Sequence, residues 1–255
     1  MWRSIIKYLL QITLHMSDTG QTPLIYACAS NNKKLVQILL EAKINLDDRN
    51  EYGWTALMIS AAEGYIDIVK MLLDSGAHID VSCPMGMTAL SFAAHEGKKE
   101  VCELLLKYGS KDLRDYKGRS ALIIAADKGN QECVNVLLAK FPQLIEQKGL
   151  DGYNALQLAA HSGNIAVVQV LFEHHANINA SNGRGWNPLL LATKSGHLDI
   201  VQYLLNKGSN KNHATTSGWT ALITASAIGH NDICELLLES DVEKNGRNND
   251  GLTGI

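Results

Sequence analysis

Little in this sequence is in excess. Lys and Arg total 23 against 26 Asp and Glu, a formal net charge of −3 over 255 residues. A protein that tracks nucleic acid or an anionic membrane surface carries a basic surplus, so neither partner is predicted. The five cysteines, Cys28, Cys83, Cys102, Cys133 and Cys234, are odd in number, far apart and without a CxxC pair. That pattern predicts no disulfide framework and no metal site. Cys102, Cys133 and Cys234 sit among apolar residues at helical spacing and read as small buried side chains in a reducing, cytoplasmic compartment. No run approaches the roughly 20 apolar residues of a membrane span. The opening stretch is interrupted by Lys7, Gln11 and His15 and lacks a small-residue cleavage site, so no signal peptide is predicted. HExxH, GxSxG, GxxxxGK[ST] and GxGxxG are all absent. His174 and His175 are adjacent and point different ways, a poor chelate. The sequence therefore predicts no catalytic residue, no metal, no cofactor and no enzyme.

What the chain does contain is a repeat. Gly20, Gly53, Gly86, Gly118, Gly152, Gly185, Gly218 and Gly251 succeed one another at spacings of 33, 33, 32, 34, 33, 33 and 33. Two residues after each stands Thr22, Thr55, Thr88, Ser120, Asn154, Asn187, Thr220 or Thr253. Four residues after each stands Leu, or Ile255 in the last. A second glycine follows eleven after the first (Gly64, Gly97, Gly129, Gly163, Gly196, Gly229), with Asn31 breaking the series in the first unit. A Leu-Leu or Leu-Phe pair comes next in every complete unit.

Each recurring residue has a physical reason. The first glycine suits a tight turn at positive φ. The Thr, Ser or Asn two residues on is an N-cap, whose oxygen accepts an orphan N–H of the first helical turn. Pro or Ala then occupies the first helical position, as in Pro23, Ala56 and Pro188. Pairs such as Ala93-Ala94 and Ala125-Ala126 let helices approach closely. The second glycine ends this short helix. A second, amphipathic helix starts at once, as in Ile66–Leu73, and Gly76, Gly109 and Gly208 stop it.

The runs Gly53-Trp-Thr-Ala-Leu…Ala61-Ala62-Glu63-Gly64 and Gly185-Trp-Asn-Pro-Leu…Gly196-His197 resemble the ankyrin repeat, over about residues 19–255. That resemblance implies an all-α solenoid of stacked antiparallel helix pairs with β-hairpin-like finger loops, of about seven repeats. It also implies a module that binds another protein along its concave finger and inner-helix face. One departure is systematic. The family's usual His, five residues after the first glycine, is replaced by Ile25, Met58, Ser91, Ile123, Gln157, Leu190 and Ile223, read as apolar substitutes that leave the imidazole hydrogen bonds missing.

The expected layout is a capping helix over 1–18 and seven units over 19–51, 52–84, 85–116, 117–150, 151–183, 184–216 and 217–249. The start of an eighth unit follows at 250–255. No linker divides them, and the chain reads as one continuous domain and a monomer. With the framework committed to folding, variable exposed positions are free to choose a partner. The residue after the first glycine is aromatic, cationic or Met in six units: Trp54, Met87, Arg119, Tyr153, Trp186 and Trp219. Trp and Tyr are frequent interface anchors, and equally a Trp here could clad the next finger. The ends of the first helices add Glu63, His95, Glu96, Lys128, His161 and Lys194, whose mixed signs favour a protein surface. These twelve are the candidate partner-binding residues. The alternative is that the repeats are the regulatory or targeting segment of a larger enzyme or signalling protein.

Overall fold

A computed structural model describes residues 20–254. The expected capping helix over 1–18 lies outside the described residues. Among those described, the secondary structure is fourteen α-helices and one short 3-10 turn. A single antiparallel bridge joins Arg247 and Thr253.

The chain divides into two compact units, with the boundary between Tyr116 and Lys117. The first holds three helix pairs: α1 (Pro23–Ala29) with α2 (Lys33–Glu41), α3 (Ala56–Glu63) with α4 (Ile66–Asp74), and α5 (Ala89–His95) with α6 (Lys99–Lys107). The second holds four: α7 (Ala121–Lys128) with α8 (Gln131–Lys140), α9 (Ala155–His161) with α10 (Ile165–Glu173), α11 (Pro188–Ser195) with α12 (Leu198–Asn206), and α13 (Ala221–Ile228) with α14 (Asn231–Glu239). Within each unit first helices pack on first helices and second helices on second helices.

The local chemistry explains these elements. Thr22, Thr55, Thr88, Ser120, Asn154, Asn187 and Thr220 each sit in extended backbone and accept the N–H three residues on. Each such cap is worth about 1 kcal/mol. Gly64, Gly129, Gly196 and Gly229 end α3, α7, α11 and α13 in the left-handed conformation. Close approach adds a second demand at Gly163 and Gly196. A Cβ on Gly163 would lie 2.7 Å from the His197 ring, and one on Gly196 would lie 2.8 Å from the His230 ring. Where no glycine is available the backbone bends anyway: Asn31, Lys43, His175 and Asp241 all have positive φ, which is unfavourable for a residue with a Cβ. After α8 the turn differs, because Pro142 has no N–H to continue the helix and opens the 3-10 turn Pro142–Leu144.

The first helices are buried along almost their whole length, as in Leu122 to Ala126, each at most 1% exposed. The second helices bury one stripe, as Ile68, Val69 and Leu72 do in α4. A large aliphatic side chain removed from such a core costs about 2–5 kcal/mol.

Candidate protein-binding face

Four fingers are closed by a polar side chain three residues before the glycine, Asn50, Asn182, Thr215 and Asn248. Asn50 Oδ1 accepts from the N–H groups of Tyr52 and Trp54 at 3.0 and 2.9 Å, while the Asn50 N–H donates to the Trp54 carbonyl at 3.0 Å. Asn182 does the same with Arg184 and Trp186, and Asn248 with Asp250 and Leu252. Thr215 serves through its hydroxyl for Trp219 at 3.0 Å. The backbone of the Trp positions is therefore finger framework, and only their side chains can vary in role.

Successive repeats are tied by backbone and side chains together. The Tyr116 N–H donates to the Met85 carbonyl at 2.9 Å in the first unit. The N–H groups of Leu150, Thr216 and Asn249 reach the preceding finger at Lys117, Arg184 and Ser217 in the second. A further ladder runs through the turns after the second helices. Asp47 accepts from the His78 N–H at 3.0 Å, Asp80 from Lys111 at 3.0 Å, Glu146 from Asn177 at 2.6 Å and Asn179 from Asn210 at 2.8 Å. At the helix ends, Asn164 Nδ2 donates to the Ala126 and Asp127 carbonyls, both at 3.0 Å, and His197 Nε2 contacts the His161 carbonyl at 3.0 Å. These side chains bond carbonyls in the last turn of the preceding repeat's first helix. Sequence reasoning missed both sets.

Of the seven residues replacing the family's usual His, five are apolar, and Ser91 and Gln157 are buried polar groups. Ile25, Met58, Ile123, Leu190 and Ile223 are fully buried apolar groups. Gln157 corrects the expectation that the polar bond is absent throughout. Its side chain completes a capping box with Asn154, and its Nε2 donates to the Trp186 carbonyl at 2.6 Å. It thus ties one repeat to the next finger.

The twelve candidate residues separate by unit. In the first, Trp54 is half-buried, meeting Phe92 edge-on at 5.0 Å and Tyr52 at 5.9 Å between ring centroids. Met87 is only 7% exposed and joins Met58, Cys83 and Phe92 in a core cluster against which Trp54 packs. Packing thus claims Met87 and one side of Trp54. Glu63 and Glu96 are exposed, and His95 Nδ1 lies 2.7 Å from Glu96 Oε1. In the second unit, Lys194 Nζ stands 4.9 Å over the Trp186 ring. Exposed His161 meets Ser195 Oγ at 2.9 Å, and Lys128 is exposed. Arg119 is half-buried with a nitrogen 3.8 Å from Asp127. Tyr153 and Trp219 are half-buried.

Several exposed apolar residues lie outside those twelve. Tyr52, Met85, Tyr116 and Leu150, all at fingertips, are 62%, 45%, 57% and 81% exposed, and Tyr26 on α1 is 44% exposed. Met85 and Leu150 carried a sequence signal, an apolar residue where most other units place a polar one; Tyr26 carried none, since its register is apolar in every other unit but the last, which has Thr224.

The perturbed titratable groups do not converge on a site. Burial pushes the Cys28 thiol up to about 11, which suits a packing group rather than a nucleophile. Lys33 holds exposed Asp67 below the usual carboxylate range. Hydrogen bonding to Asp47 raises His78, and to Asp74 raises Tyr108. Burial, then the Glu173 charge, raises Tyr203. Three of these pairs, Lys33–Asp67, Asp47–His78 and Asp74–Tyr108, are ties between neighbouring repeats. Among the described residues no group of three or more His, Cys, Asp or Glu could hold a metal ion, and no helix is long and apolar enough to cross a membrane.

Comparison with known proteins agrees with this architecture. A family model described as ankyrin repeats (3 copies) matches residues 3–83, 78–148 and 141–215, and a single ankyrin repeat matches 217–249. The ankyrin repeat-containing protein ITN1 of Arabidopsis thaliana is 39% identical over 67 residues, which are 26% of this chain and 11% of ITN1. The crystal structure of the human ASB11 ankyrin repeat domain superposes with a TM-score of 0.78 at 23% identity, covering 87% of this chain and 98% of that one. At that identity the likeness is one of fold. With its glycine register, capped helix pairs and finger turns all in place, the chain belongs to the ankyrin repeat family.

Proposed function

We propose that this chain binds another protein through its fingertips and the ends of its first helices. The observation that carries the reading is the exposure of Tyr52, Tyr116 and Leu150 at fingertips whose closure does not need them. The same finger turn forms around Arg184 and Asp250. Exposed aromatic and large apolar groups that the fold does not require mark interaction surfaces. Glu63 and Glu96 in the first unit, and Trp186, Lys194, His161 and Lys128 in the second, would supply polar and aromatic contacts within their own units.

The test is affinity capture from cell lysate with mass spectrometry, comparing the unaltered chain with a Tyr52→Ser, Tyr116→Ser, Leu150→Ser variant whose helicity is checked by circular dichroism. Partners lost with the variant at unchanged helicity support the reading. Partners retained in full move binding to the second helices and overturn it. A second reading, a regulatory or targeting segment of a longer protein, is favoured by one observation. The similar stretch makes up only 11% of ITN1, so in that protein such a segment is a small part of the chain. Sequencing the complete reading frame separates the two.

A further inference from the structure

The first unit's face is both aromatic and acidic. Tyr26, Tyr52, Met85 and Tyr116 are exposed there, and Trp54 lies half-buried against Phe92. The fold does not ask for this. At the register of Tyr52 and Met85, one residue before the finger glycine, the second unit has Lys117, Asp151, Arg184, Ser217 and Asp250, and its later fingers close with the same backbone bonds. Carboxylates stand next to the aromatic groups. Glu51 precedes Tyr52. Glu63 follows Ala62, which packs with Trp54 against the Phe92 cluster. Glu96 is one helical turn past Phe92, its N–H bonded to the Phe92 carbonyl. Among the nearby basic groups, Lys99 lies 3.7 Å from Glu103, and His95 Nδ1 lies 2.7 Å from Glu96 Oε1.

An aromatic face and a carboxylate attract the same thing, a cation. In the second unit the equivalent attraction is already met from within, because Lys194 stands over Trp186. Lys128 there stands at the register of Glu63 and Glu96, and Lys194 stands one position earlier in its own unit. The two faces therefore select opposite charges.

We propose that the first unit's finger and first-helix face binds an extended protein segment that carries Lys or Arg beside apolar side chains. The partner's cations would sit against Glu51, Glu63 and Glu96 and over the Tyr52 ring, with its apolar groups against Met85, Tyr116 and Trp54. This rests on the protein-binding reading above and specifies the chemistry of its partner.

The test presents a phage-displayed library of random 12-residue peptides to the full chain. The best enriched peptide is then synthesised and its affinity measured. Enrichment of Lys or Arg with apolar residues is expected. Affinity should fall at least about tenfold in Glu63→Lys/Glu96→Lys and in Tyr52→Ser/Met85→Ser, weaken with added salt, and be unchanged in Lys34→Glu/Lys70→Glu, whose side chains are exposed on the second helices. All the altered side chains are exposed, and circular dichroism confirms that each variant is folded. Enrichment of Asp- and Glu-rich peptides that depend on Lys128 and Lys194 would overturn the inference while leaving the protein-binding reading intact. Failure to enrich any sequence would overturn both.

Discussion

The two units share one framework and differ in what they display. In the first, three fingers carry Tyr52, Met85 and Tyr116 at their tips, and the first helices end in Glu63 and Glu96. In the second, the last three fingers carry Arg184, Ser217 and Asp250, and the first helices end in Lys128, Lys194 and neutral residues. Caps, glycine turns and buried aliphatic stripes are alike in both. The difference teaches that the repeat separates two tasks by register. Framework positions solve the burial and hydrogen-bonding problem once per repeat, and display positions then change sign and polarity at little cost to the fold, as expected of an array held by nearest-neighbour contacts.

The strongest way to break this comparison is to damage one unit and watch the other. Leu57 and Leu156 occupy the same register and are 2% and 1% exposed. Leu57→Ala and Leu156→Ala are each expected to destabilise by about 2–5 kcal/mol. Amide hydrogen exchange should show the loss concentrated in the unit that carries the substitution, and equal loss in both would mean they unfold as one. Next in size is Gln157→Leu. It removes the capping box and the bond to the Trp186 carbonyl inside a buried site, and should cost about 1–3 kcal/mol by urea denaturation. Met58→Leu at the same register in the first unit should cost under about 1.5 kcal/mol. A Gln157→Leu loss no greater than that of Met58→Leu would show that the polar tie contributes nothing.

A smaller effect of opposite sign is expected where a side chain is forced to positive φ. Lys43 in the first unit and His175 in the second have φ of 55° and 65°. Replacing either by Gly relieves about 1–2 kcal/mol of strain and gives back about 0.5–1 in chain entropy. The midpoint of thermal unfolding should therefore rise slightly; a fall in either would refute the strain.

The smallest effect concerns pH. His78 is raised above its usual 6.5 by its hydrogen bond to Asp47, then by that residue's charge. A raised histidine contributes stability that is fully present below the unfolded-state value and is lost as pH rises through the folded one. The His78 ring should titrate above 6.5 by proton NMR and return toward it in Asp47→Asn; an unchanged titration in that variant would contradict the tie.

Most of the framework was legible because it is local. A glycine at positive φ and a Thr, Ser or Asn at an N-cap answer constraints within a few residues, and they recur. The ties from Asp47 to His78 and from Asn164 to Ala126 were not, since each depends on which atoms two repeats bring together. The Trp positions show the same limit. Trp54 is partly claimed by packing because Phe92 stands one repeat on, whereas the corresponding residue for Trp186 is Thr224 and its ring takes Lys194 instead. Periodicity identified the offset; the neighbour 38 residues later decides the role.

The most direct test of the division between framework and display is amide hydrogen exchange of the full chain with and without a captured partner. Slowed exchange confined to the fingers, at 51–54, 84–87 and 116–119, and to the ends of the first helices is the expected result. Slowing along the exposed sides of the second helices, with the fingers unchanged, would contradict it.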